Sequence, residues 1–373
     1  MAIMTIPRPL HIVMDDLGWF CARDERSSGG PSRTGVTRKH NYKDYLAVNE
    51  LGKRLGMKIT CAFVVGEWDD DNRLKDIKNL SKYGENWDNA RYFDKDEMKR
   101  CVDAINGSDY IDFAIHGLLH GYYAEGVDNT DESDYYYKIN KKQYTVPEDE
   151  IRRRLTAFLD IVRHHGITKK INTFVPPSFT YKWDDVSEIL KDYGIDYVST
   201  IFDKMEFDGR KPSSVGIEKC GIVNVDRNNN CVKWNEYFSN LHKHGEKTGV
   251  FGVHWPNALH EDADRSIEVV DEWVKYFEKC SQKFGIILSK DIKFCASQLM
   301  FAEYAKITED RGITIVDISD VPRSELTDFE FYISSKEPLE SFVGCTFEDY
   351  EQKNGFWTYK IKPLTNVMRF DNV

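Results

Sequence analysis

Apolar positions fall into short continuous runs that alternate with longer stretches of helical spacing. Leu10–Met14, Lys58–Val65 and Tyr110–Ile115 are near-continuous runs of the kind that occupies a strand buried on both faces. Asn172–Val175, Ile195–Thr200, Ile222–Val225 and Thr248–Val253 continue the series. Between them, Asp94–Ile105, Pro147–His164, Trp183–Lys191 and Ala263–Phe284 read as helices. The second has Pro147 at its start and Gly166 past its end, the asymmetry expected of helix termini. Ile292–Ala296 reads as a last strand of this kind, followed by a helix through Lys306. Repeated β-then-α order predicts parallel strands covered by helices, as a barrel or a doubly wound sheet. Beyond Asp310 the helical period disappears. Ile313–Ile318, Asp328–Ser334, Leu339–Thr346 and Phe356–Ile361 are β-branched or aromatic runs between polar turns. The pattern divides the chain into a βα body over 1–309 and a small β-rich unit over 310–373.

Chemistry-bearing residues gather where the strands end. Leu10–Met14 runs into Asp15-Asp16, and Tyr110–Ile115 into His116-Gly-Leu-Leu-His120. Asn172–Val175 runs into Pro176-Pro177, and Thr248–Val253 into His254. Strands tolerate ionisable groups poorly, and βα architectures place functional groups at the carboxyl ends of their strands. Two imidazoles separated by three residues face the same way across one turn, and one carboxylate completes a facial set of metal ligands. A second Asp beside the ligand Asp would lie next to the attacking water, which points to metal-assisted hydrolysis. Asp-Asp and His-x-x-x-His are each common on surfaces; it is their shared placement at strand ends that singles these out. His164-His165 lies at a helix end, where a histidine favours the helix dipole, and His242-x-His244 in a Lys- and Gly-containing loop. Both read as surface features. The Arg23–His40 loop reads either as a plain surface excursion or, because it follows the Asp pair at a strand's carboxyl end, as a substrate-contacting loop.

Composition narrows the partners. A net charge of −11 over 373 residues argues against nonspecific binding to nucleic acid or anionic membranes. No apolar segment is long enough to span a membrane. The acidic stretches Glu67–Asp71 and Asp128–Asp134 read as solvated loops. Eight cysteines occur without Cys-x-x-Cys spacing, and Cys61 and Cys295 sit in apolar runs like small buried hydrophobes. That usage fits reduced thiols better than a disulfide framework. The start MAIMTIPRPLHIV lacks the features of a signal peptide, so a cytoplasmic location is expected, with a trimmed secreted form still compatible.

The order and spacing of these motifs resemble the polysaccharide deacetylases, the NodB-homology carbohydrate esterases that remove N- or O-acetyl groups from glycans. The resemblance covers residues 9–300. It implies a distorted (β/α) barrel of about seven parallel strands, to which the C-terminal segment adds a small antiparallel β appendage. MDDLG matches the family's Asp-Asp motif, implying Asp15 as general base and Asp16 as metal ligand. HGLLH matches its His-x-x-x-His motif, implying His116 and His120 as the other ligands. Val175-Pro176-Pro177-Ser178 matches the motif whose Pro-Pro pair shapes one groove wall, and GVHW implies His254 as general acid. The implied cofactor is one divalent ion, Zn²⁺ first, with Co, Ni, Fe or Mn as options; the implied partner is an acetylated carbohydrate. Tyr122, Tyr123 and Trp255 adjoin these motifs and are candidates to stack on a sugar ring, with core packing as the alternative.

The chain departs from the family pattern in three places. Val175 stands where many members carry an Arg that pairs with the base. The first motif reads Asp-Asp-Leu-Gly, and Asp196 and Trp234 are only loose counterparts of a Trp-containing motif. Competing readings are a non-sugar amidohydrolase on the same fold, a carbohydrate-binding relative without catalysis, and a non-haem iron oxygenase. The Asp-then-His-x-x-x-His order on a βα chain disfavours the last. The glycan, the acetyl position and the oligomeric state stay open.

Overall fold

The computed structural model describes residues 4–20, 38–128, 132–207, 209, 211–229, 241, 248–310 and 312–372. Strand β1 (Met4–Thr5) precedes the long β2 (Arg8–Leu17). Helix α1 (Tyr42–Leu55) opens on a capping box, in which Asn41 Oδ1 accepts from Lys43 N–H and Asp44 accepts from Asn41 N–H, and it closes on left-handed Gly56. There follow β3 (Ile59–Val64), α2 (Lys95–Asn106), β4 (Ile111–Gly117), the hairpin β5 (Tyr136–Ile139) and β6 (Lys142–Thr145), and α3 (Glu148–His164). Next come β7 (Thr173–Phe174), α4 (Ser187–Asp192), β8 (Tyr197–Thr200), β9 (Val215–Ile217), β10 (Val223–Asp226) and β11 (Val250–His254). The body ends with α5 (Ser266–Ser281), β12 (Ile286–Leu288) and α6 (Ile292–Tyr304).

The main sheet has the order β11-β2-β3-β4-β7-β8-β10-β9, with β12 also paired to β2. Neighbours from β11 to β10 are parallel, but β9 runs antiparallel to β10. This corrects the expected (β/α) barrel of seven parallel strands: the sheet is mixed and curled into a half-barrel. The chain doubles back from β9 into β10 through a short turn closed by Gly221 N–H on Glu218 O, which leaves no room for a crossover helix. Among the described residues the end of β10 meets β11 through an isolated bridge, Asn229 with Phe251, and through side-chain bonds such as Val250 N–H to Asn228 Oδ1 at 3.3 Å, and not through a continuous ladder.

A second correction concerns Ile292–Ala296, which is the start of α6 and not a strand. Asp291 caps this helix by accepting from Phe294 N–H at 2.7 Å, and nearly every residue from Ile292 to Phe301 is buried. A helix buried all round carries no amphipathic period, so its apolar run mimics a strand. The strand at this point is β12, parallel to Arg8–Leu10 of β2.

The two sheet faces feed two cores. Ile12, Met14, Phe63, Phe113 and Ile115 pack toward α1, α3 and α5. Val13, Ala62 and Ala114, at alternate positions, belong to the other core together with α6 and the C-terminal strands. Those strands are β13 (Lys306–Asp310), β14 (Ile313–Asp317), β15 (Phe331–Ser335), β16 (Leu339–Val343), β17 (Cys345–Lys353), β18 (Phe356–Pro363) and β19 (Val367–Asn372). They form two four-stranded antiparallel sheets, β1-β15-β18-β17 and β13-β14-β19-β16. They are not an appendage: β1 pairs with β15, and Phe331, Ile333, Met368 and Phe370 share the core of Val13 and Ala114. Phe331 stacks on Phe301 of α6 at 4.3 Å. Phe331→Ala is expected to lower stability by about 3–5 kcal/mol, seen as a reduced urea midpoint at unchanged slope.

The acidic stretches are also less solvated than their composition suggests. Glu67, Asp69 and Asp134 are buried, with Glu67 accepting from Phe20 N–H at 2.6 Å and Asp69 from Trp87 Nε1–H at 3.0 Å. Among the described residues no helix is long and apolar enough to cross a membrane.

Candidate active site

Strands β11, β2, β3 and β4 are neighbours, so their carboxyl ends bring His254, Asp15, Asp16 and His116 to one edge of the sheet. A regular strand would point adjacent Asp15 and Asp16 to opposite faces. The β2–β3 ladder slips between Met14 and Leu17, and Asp16 adopts a positive φ of 66°. This bulge lets both carboxylates face His254. The β3–β4 ladder slips likewise, passing from Ile115 to Gly117 and leaving His116 without a ladder partner. Gly18 is required just beyond the bulge, because its φ is 104° and a Cβ would lie 2.3 Å from Val64 O.

Asp16 Oδ1 lies 3.3 Å from His120 Nε2 and 3.7 Å from His116 Nε2. All three residues are buried. Donors held at 2.0–2.1 Å by a tetrahedral zinc stand about 3.3 Å apart, so these separations suit a shared cation. Asp16 Oδ1 is buried and makes no hydrogen bond, a cost that a bound cation would remove. His116 Nδ1 lies 2.6 Å from Val175 O, which assigns the proton to Nδ1 and the lone pair to Nε2. Burial, then neighbouring His120, hold His116 below the usual imidazole range, which favours the neutral form that a metal ligand requires. These donors fit one divalent ion with a two-nitrogen, one-oxygen set.

Asp15 is paired. Arg227 Nη1 and Nη2 donate to its Oδ1 and Oδ2 at 3.0 and 2.8 Å, and both side chains are buried. Burial alone would raise the Asp15 pKa; the Arg227 guanidinium, with His116 and His254, outweighs it and holds the carboxyl below the ordinary carboxylate range. Arg227 immediately follows β10, its N–H donates to Thr200 O at 2.7 Å, and its guanidinium lies 4.7 Å over the Phe179 ring. Val175 thus leaves no gap: the partner arrives from a different strand end. Sequence reasoning missed Arg227, although it follows the apolar run Ile222–Val225 much as Asp15 and His254 follow theirs. His254 Nε2 stands 4.0 Å from Asp15 Oδ2 and 3.9 Å from Asp16 Oδ2, with its side chain 24% exposed. Asn257 Oδ1 accepts the His254 main-chain N–H at 2.9 Å and anchors the turn behind it.

The remaining candidates are placed differently. Pro176 and Pro177 are buried and lead into Ser178 and Phe179, both at positive φ. Tyr122 and Trp255 offer no open ring face to a sugar, being 3% and 0% exposed. Tyr122 stacks on Tyr137 at 4.8 Å and Trp255 on His40 at 4.0 Å, so both are packing residues. Asp196 pairs with Lys191 and Lys170 at the amino end of β8, the opposite end from the His–Asp cluster. His164 is half-exposed and meets Asp70 at 3.1 Å, while His165 Nε2 meets Trp68 O at 2.6 Å; with Asp70 they form a second His–carboxylate group. Trp234, residues 23–37 of the Ser- and Arg-rich loop, His242 and His244 lie outside the described residues.

The chain matches no protein-family model and no curated protein. Among solved structures it is similar to a GH57-type branching enzyme from the hyperthermophilic archaeon Pyrococcus horikoshii, at 15% identity and a TM-score of 0.36. The match covers 76% of this chain and 62% of that one, so the chain spans less than two thirds of that enzyme's length.

Proposed function

We propose that the chain is a metal-dependent hydrolase that removes acetyl groups from an N- or O-acetylated sugar, oligosaccharide or polysaccharide. The observation that supports this most is the convergence of Asp16, His116 and His120 beside a buried Asp15–Arg227 pair. Asp16, His116 and His120 would hold one divalent ion, zinc first, which when bound polarises an acyl carbonyl and lowers the pKa of water. Asp15, kept ionised by Arg227, accepts the proton of the attacking water. The bidentate guanidinium fixes the plane of that carboxylate, so the accepting oxygen is presented in one orientation. His254, at the carboxyl end of the neighbouring strand β11 and partly open to solvent, donates a proton to the departing amine or alcohol. The acetyl and sugar assignment rests on the resemblance of these motifs to those of the polysaccharide deacetylases.

One observation favours a second reading, a hydrolase of non-sugar amides or esters using the same groups. Burial of Tyr122 and Trp255 removes two candidate stacking faces for a sugar ring. Acetate release from acetylated chito-oligosaccharides and acetylated xylan, set against release from small amides, separates the two. Elemental analysis is expected to find one divalent ion per chain, lost in the His116→Ala/His120→Ala variant. Full occupancy in that double variant would overturn the ligand set.

A further inference from the structure

We propose that Glu132, together with the 175–178 turn, is a positioning residue for the metal-binding imidazoles. It holds His120 in the tautomer whose lone pair is on Nε2. This inference rests on the metal reading above.

Glu132 lies in an acidic stretch that composition alone marks as solvated loop, yet it is tied to His120 twice. Its Oε2 stands 3.1 Å from His120 Nδ1, and its N–H donates to His120 O at 2.9 Å. The same Oε2 accepts from Ser178 N–H at 3.0 Å. The contact is an ion-pair separation and not a formed hydrogen bond, but a carboxylate oxygen this close repels a ring lone pair and so favours the proton on Nδ1. With Nδ1 protonated, the neutral ring presents the Nε2 lone pair toward Asp16 Oδ1, 3.3 Å away. The opposite neutral tautomer would set a ring lone pair against the Glu132 carboxylate. A carboxylate behind a ligating imidazole also raises its basicity and restrains its rotation.

The backbone supports the same conclusion. His120, Glu132 and Ser178 adopt φ of 53°, 55° and 54°, a left-handed conformation that side-chain-bearing residues adopt rarely and hold only where their surroundings enforce it. These three residues are the ones linked by Glu132, through its main-chain bond to His120 O and the Ser178 N–H bond to its carboxylate. The other ligand is held by the same turn, since His116 Nδ1 meets Val175 O at 2.6 Å. Residues 175–178 therefore orient both imidazoles, His116 through a carbonyl and His120 through Glu132. The stretch expected to form a groove wall is also the frame of the metal centre.

Zinc affinity of the full chain, measured by competition with a fluorescent chelator, tests the proposal. Glu132→Ala is expected to weaken Zn²⁺ binding about 10–100-fold, and Glu132→Gln less, because its amide oxygen can still face Nδ1–H. The thermal midpoint of the chelator-treated protein should stay near the wild-type value in both variants. In zinc-loaded protein carrying ¹⁵N-histidine, wild-type His120 should show Nδ1 protonated and Nε2 shifted by the metal, a signature that Glu132→Ala should lose. Zinc affinity of Glu132→Ala within twofold of wild type would overturn the positioning role and leave the metal centre standing. A loss of affinity matched by an equal loss of folded metal-free protein would assign Glu132 to folding alone and overturn it too. A folded wild-type chain that takes up no Zn²⁺ would overturn the metal reading and this inference with it.

Discussion

Asp15→Asn is expected to lower acetate release about 10²–10⁴-fold while zinc content stays at the wild-type level. The substitution keeps nearly the same volume but leaves no group able to accept a proton from water. Arg227 presents two donors to Asp15 at 3.0 and 2.8 Å, and Asn offers one acceptor in place of two. One guanidinium N–H then faces an amide NH₂, so the side chain loses its fixed plane as well as its charge. Asp16, His116 and His120 are untouched, and their separations of 3.3 and 3.7 Å do not depend on the Asp15 charge for their backbone support. The paired measurement is zinc content and turnover on the same sample. Near-wild-type turnover with zinc bound would put the base elsewhere.

Arg227→Met is expected to cost about 3–5 kcal/mol of stability, because it strands a buried carboxylate without its cation. Asp15 is buried, and burial is the largest influence on its carboxyl, opposed first by Arg227. Removing Arg227 also strips the packing of its guanidinium against the Phe179 ring. The double variant Asp15→Asn/Arg227→Met removes both charges and should recover a large part of the loss, so the two changes should be strongly non-additive. Urea unfolding with a chelator present keeps metal binding out of the comparison. Simple addition of the two single-variant effects would show that the bidentate pair is not the unit assumed here.

How much was legible in the chain depended on the range of the interaction. The apolar runs at Leu10–Met14, Lys58–Val65, Tyr110–Ile115, Ile222–Val225 and Thr248–Val253 lie within or close to β2, β3, β4, β10 and β11. A strand covered on both faces needs an unbroken apolar run, which is a local property. The same locality made Asp15, Asp16, His116, His120 and His254 visible, because each lies at or just past the end of such a run. It also produced the error at α6, where uniform burial erased the helical period.

Arg227 and Glu132 show where local reading stops. Arg227 meets Asp15 across 212 residues of sequence, and no composition or spacing encodes that pairing. Glu132 looked like one more charge in an acidic loop until the chain brought it behind His120. Trp255 adjoins His254 in sequence, yet α1 and the residue before its cap bury it under Tyr45 and His40. The covering of the sheet's other face was likewise decided at a distance, by C-terminal strands sharing the core of Val13 and Ala114, whereas the antiparallel β9–β10 turn is a local feature that the apolar pattern did not reveal. By itself, then, the sequence determined the central parallel strands β2, β3, β4, β10 and β11 and which chemical groups stand at their ends, since both follow from local burial. Only the tertiary structure decided which of those groups are paired, which are covered and whether the sheet closes, because each depends on contacts between segments distant in the chain.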